Sequence, residues 1–178
     1  MTKILISSLH NYIINIVRSI RLELDITQQN LSKQITPYSE TNLVGLVESD
    51  KTETCYNDNH LNIIAKFFSE RAKLLGKEKI DYTVYDLYPY ESLSEKLVPK
   101  TIDLLPKGLH ATGTLNLLLE KKNLFFDEWH TVKEITTYCN SFMSQEWKTT
   151  DFTSVISRAE ESGKLIRSSE IDPKYKIA

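Results

Sequence analysis

A chain of 178 residues with 40% apolar and 26% charged side chains has globular composition, long enough for one large domain or two small ones. Its 22 Lys and Arg against 24 Asp and Glu give a net charge of −2, which excludes a globally basic nucleic-acid binder. Any phosphate-binding face has to be local, because phosphate contacts supply most non-specific affinity.

The first helical pattern is Ile13, Val17, Ile20 and Leu24, apolar residues spaced four, three and four apart, with Arg18 and Arg21 elsewhere on the surface. Thr27 then offers an N-cap to "QQNLSKQI", where Leu31 and Ile35 share a face. Leu43, Val44 and Val47 make the apolar side of a short third helix. "LNIIAKFFSERAKLL" sets Leu61, Ile64, Ala65, Phe68, Ala72 and Leu75 in one stripe. Four helices with short connections predict an orthogonal bundle. "TVYDLYP" suits a strand by its alternation and equally one helical turn stopped by Pro89.

Residues 92–108, punctuated by Pro99, Pro106 and Gly108, read as a connector containing a short helix. "TGTLNLLLEKK" is a helix with a leucine face. Thr131 with Glu134 three residues on is a capping box, the clearest helix start in the chain. "TTDFTSVISRAEESG" is a third helix, with Phe152, Val155, Ile156 and Ala159 inward and Gly163 just past its end. Lys164–Arg167 and Lys174–Ile177 then read as strands around an Asp172-Pro173 turn. The fold class expected is therefore mainly α. It comprises an N-terminal helical bundle over 1–91, the connector 92–108, and a domain over 109–178 ordered like a winged helix, three helices and a β-hairpin.

Catalytic chemistry finds no residues to carry it. There is no GxGxxG, GxxxxGK[ST], HExxH or GxSxG, and His10, His60, His110 and His130 stand apart from one another. No catalytic residue, metal site or cofactor is expected. Cys55 and Cys139 are far apart and read as free thiols of a reducing cytosol. The N-terminal apolar run is broken by His10, Asn11 and Asn15, and nothing approaches the roughly 18 apolar residues of a membrane span. A soluble, cytoplasmic protein without membrane contact is expected. The aromatic cluster "FFDEWH" (125–130) is read as core cover in preference to a partner-binding patch.

"ITQQNLSKQITPYSETNLVGLVES" (26–49) holds two short amphipathic segments around a Thr-Pro-Tyr break, as a DNA-reading helix-turn-helix requires. Here the chain resembles the lambda-repressor-like (XRE) helix-turn-helix regulators. "RLELDITQQNLS" is similar to the family's junction of helices 1 and 2, with Gln28 at the family's Gln. "VGLVES" is similar to the end of its recognition helix, and "YNDNHLNIIAK" (56–66) to a bacterial subgroup. The resemblance covers about residues 10–90 and implies a sequence-specific transcription regulator of double-stranded DNA. Ser39, Thr41 and Asn42 would face base edges in the major groove, Asn42 through a bidentate contact to adenine. Gln28 would hold a phosphate at the N-terminus of helix 2, with Arg18, Arg21, Lys33 and Lys51 as the nearby cations.

The chain departs from the pattern in three places. The turn is about two residues longer, with Thr36-Pro37 in place of the turn glycine. The loop "DKTETCYN" lacks the subgroup's basic character, and Glu40 opens the recognition helix. Residues 1–60 carry five positive and seven negative charges. The other expectation, from a different class, is therefore a protein-interaction module that keeps the helix-turn-helix fold without DNA. The C-terminal half resembles winged-helix domains in general, and its third helix carries Asp151, Glu160 and Glu161 against Arg158. That balance favours dimerisation, a homodimer through this domain, or partner docking over a second DNA reader.

Overall fold

Ser7 accepts a hydrogen bond from the His10 N–H and so starts α1 (Ser8–Glu23), whose inner face is Ile13, Ile14 and Val17. The structure, a computed structural model, describes residues 3–103, 106 and 108–178. It divides into two units, 1–108 and 109–178. In the first, Asp25 adopts a positive φ of 56° and turns the chain out of α1. Thr27 caps α2 (Gln28–Ile35) by accepting from the Asn30 N–H, and Asn42 caps α3 (Leu43–Val47) by accepting from Gly45. Asn57 and His60 form a reciprocal capping box at the start of α4 (Asp58–Leu74). The core sits where these helices meet: Val17, Leu31, Val44, Ile64 and Phe68 are all fully buried.

"TVYDLYP" resolves as one 3-10 turn, Val84–Leu87. Thr83 and Asp86 box its start, and Leu87 enters the core. The segment read as a connector with a short helix differs from expectation. It carries a strand, β2 (Leu97–Pro99), paired antiparallel with β1 (Leu5–Ser7) in the register Leu5↔Pro99, Ile6↔Val98, Ser7↔Leu97. An extended backbone is stable here because α1 satisfies its polar groups. Asn11 Oδ1 accepts from the Thr101 N–H, and Asn15 donates to the Thr101 carbonyl and accepts from the Asp103 N–H. The residue before Pro99 is also biased away from helical angles.

The second unit comprises α5 (Ala111–Glu120), a 3-10 turn at Leu124–Asp127, α6 (Val132–Met143) and α7 (Thr149–Glu161). The hairpin β3 (Leu165–Arg167) and β4 (Tyr175–Ile177) completes it. The Thr131–Glu134 capping box forms as the sequence predicts, with the Thr131 N–H donating to the Glu134 carboxylate over 2.8 Å. Gly163, at φ 70°, lets the chain turn from α7 into β3. Leu165 faces Ile177 and Arg167 faces Tyr175, which also bridges to His130. Leu118, Phe126, Ile135, Cys139 and Phe152 are fully buried in the core.

"FFDEWH" largely serves that core. Phe126 is buried, Phe125 stacks between His130 and Tyr138, and Trp129 lies under the Lys176 ammonium. Cys139 is a buried thiol that desolvation pushes up to about 12. Cys55, in the first unit, is half-buried, its pKa raised by burial and opposed by the Lys100 charge. No helix among the described residues is long and apolar enough to cross a membrane.

Candidate nucleic-acid interface

Helices α2 and α3 are joined by residues 36–42, a turn held largely by its own side chains. The Ser32 hydroxyl donates to Asn42 Oδ1 over 2.8 Å and accepts from the Val44 N–H, so it ties the middle of α2 to the start of α3. Within the turn, the Ser39 N–H donates to the Thr36 carbonyl, and the Ser39 hydroxyl accepts from the Thr41 N–H. Gly45 is required by this arrangement: a Cβ there would lie 2.5 Å from Asn42 Nδ2.

The far end of α3 is fixed by a buried ionic cluster. Glu48 Oε1 and Oε2 accept from Arg21 Nε and Nη2 over 2.9 and 2.7 Å, and Arg21 Nη1 donates to the Ile26 carbonyl. Gln28 Nε2 donates to the same carboxylate over 2.8 Å, and Arg18 Nε stands 3.7 Å away. Both Arg21 and Glu48 side chains are fully buried. Within the cluster's field Tyr56 is also buried, and desolvation, then the Glu48 charge, raise its pKa against the opposing Arg21.

This geometry separates the eight residues singled out from the sequence. Arg18 and Arg21, expected among the phosphate-facing cations, are buried at 6% and 0% exposure. They serve Glu48 and main-chain carbonyls instead. The Arg21 guanidinium, with no exposed surface, has no reach to a phosphate. Gln28 is half-buried and its amide points to Glu48. Lys33, Ser39, Thr41 and Asn42 are exposed and line one recess of about 540 Å³ together with Gln29 and Glu40. Lys51 is exposed on the loop behind α3.

Asn42 is exposed yet committed on one side. Its Oδ1 accepts from Gly45 N–H and from Ser32, which uses both lone pairs. A bidentate contact to adenine needs that oxygen as well as the amide N–H, so only the N–H side is free to reach a base. Sequence reasoning missed Glu48 as the hub of the cluster and Ser32 as the α2–α3 tie. It also missed Tyr38, fully exposed at the tip of the turn. Comparison with known protein families, curated proteins and solved structures finds no match to this chain.

Proposed function

We propose that this chain is a sequence-specific, double-stranded-DNA-binding transcription regulator. In this reading α2, the 36–42 turn and α3 act as its helix-turn-helix, and the second unit acts as a winged-helix-like domain that pairs two copies. The observation that carries the reading is the recess shared by Lys33, Ser39, Thr41 and Asn42, on a turn whose backbone is fixed by Ser32 and the Asn42 cap. Hydroxyls at 39 and 41 can donate to or accept from base edges, and the Asn42 amide N–H can donate to a purine N7 or an O4. Lys33 and Lys51 supply the phosphate contacts.

Counting those two cations, the logarithm of affinity falls with the logarithm of salt with a slope of about −2 per protomer, about −4 for a homodimer. Non-specific binding is correspondingly weak, and discrimination rests on the turn.

Selection from a random duplex library, followed by fluorescence anisotropy across a salt series, tests the reading. One enriched motif is expected. Ser39→Ala and Thr41→Ala each cost about 1–3 kcal/mol on the enriched site and leave a scrambled duplex unchanged. Lys33→Ala weakens both and flattens the salt slope by about one per protomer. The absence of enrichment, together with no binding at low salt, sinks it.

The other reading, a protein-interaction module built on the same helices, draws on exposed Glu40 in the turn and exposed Asp50 and Glu53 in the loop after α3. It predicts no duplex binding at any salt, with a partner complex lost on reversing the Glu40 charge.

A further inference from the structure

Residues 97–103 lie outside the helix-turn-helix in sequence, yet they reach the end of α3 by two routes. By the first, Lys100, 5% exposed, directs its ammonium inward and donates to the Thr52 and Thr54 carbonyls, each over 2.9 Å. Thr52 in turn donates its hydroxyl to the Leu46 carbonyl in α3 over 2.6 Å. By the second, Arg18 Nη1 donates to the Asp103 carbonyl, and its Nε faces the Glu48 carboxylate just past α3.

The segment itself is held mainly by main-chain contacts. It pairs with β1, the Lys100 N–H donates to the Ile4 carbonyl, and Asn11 and Asn15 grip Thr101 and Asp103 as described above. Burial disfavours the Lys100 ammonium and lowers its pKa, a penalty that a solvent-exposed position would avoid. Its place is explained by what it holds: the loop carrying Lys51 and the last turn of α3.

We propose that residues 97–103 form a strap that sets the position of α3 and the 50–55 loop, with Lys100 as a positioning residue for the DNA-contacting surface. The proposal rests on the DNA reading for its consequence and on the strap's contacts for its mechanism. Lys100 touches no phosphate in this account. It acts through Thr52, Thr54 and Leu46, as a contiguous hydrogen-bonded chain between two elements. Loosening the strap at its far end, at Asn15, should then be felt at the same loop.

The test uses the full chain as Lys100→Met and, separately, as Asn15→Ala, with peptide-level hydrogen exchange and duplex anisotropy. Expected in both is faster exchange over residues 44–56, about tenfold in Lys100→Met and less in Asn15→Ala, with α4 exchange unchanged. Preference for the selected duplex over a scrambled one falls about tenfold in Lys100→Met. The salt slope flattens by up to about one per protomer, because the loosened loop carries Lys51.

Unchanged exchange over 44–56 in either variant, or equal acceleration throughout the first unit, overturns the strap. Intact preference despite loosened exchange overturns the positioning role. If Lys100→Met does not fold, Asn15→Ala, which keeps the ammonium in place, decides the matter by the same readouts. A wild-type chain that binds no duplex overturns the DNA reading, and the exchange arm then judges the strap by itself.

Discussion

Arg21 carries a full charge with no exposed surface, and its guanidinium donates to the Glu48 carboxylate and the Ile26 carbonyl. Breaking such a pair strands the other ion, whereas removing both is far cheaper. Arg21→Met should therefore cost about 3–5 kcal/mol in urea unfolding, and Arg21→Met with Glu48→Leu should recover only part of it, because Arg18 and Gln28 then lose the same carboxylate. A double variant as unstable as the single one would contradict this account. The signal for burying Arg21 was present in the sequence, since it stands four residues after Val17 and eight after Ile13, on the same face. Reading charge as exposure overrode that spacing. Its partner, 27 positions away, left no local trace.

Gly45 and Asn42 form a second coupled pair. Gly45→Ala in a free helix gains about 1 kcal/mol. Here its Cβ collides with the Asn42 amide, so loss of a cap worth about 1 kcal/mol should cancel that gain and leave the change close to neutral. In an Asn42→Gly background the same substitution should turn stabilising, and a double-mutant cycle measures the difference.

Among the elements, α1, α4 and α7 were legible by apolar spacing, and α2 and α6 by spacing together with a capping Thr. The strands β1 and β2 were not. Three residues are too few to show a period, the partner of Leu5 is Pro99, and the bonds that hold the segment extended come from asparagines on a helix. Of the candidate site, the recess residues were legible by their place in the motif. The two arginines and the committed oxygen of Asn42 were not, since each depends on a tertiary partner.

The α6 start gives a pH test at this scale. Bonds from the Thr131 N–H, then from its hydroxyl, hold the Glu134 carboxyl below its ordinary range. A depressed folded pKa means its stabilisation is complete above the unfolded value and disappears as pH falls through the folded one. Wild type should thus exceed Glu134→Gln in melting temperature at about pH 6 and lose that advantage as pH falls below the ordinary carboxylate range. A gap independent of pH would show that the box acts without its charge.

Across the whole molecule, each unit has its own apolar core, and each core or its border contains one cysteine. Desolvation, at a pKa of about 12, leaves Cys139 about one part in ten thousand as thiolate at pH 8, so it is inert until its unit opens. Cys55, half-buried in the loop that Lys100 holds, needs only a local opening. Treated with a chromogenic disulfide reagent, the native chain should therefore lose Cys55 first and Cys139 at the rate of unfolding of residues 109–178. Simultaneous labelling would mean that the two units open together. Followed along a denaturant series, the pair acts as two native clocks, one timing the opening of the 50–55 loop and the other the unfolding of residues 109–178, without any engineered probe.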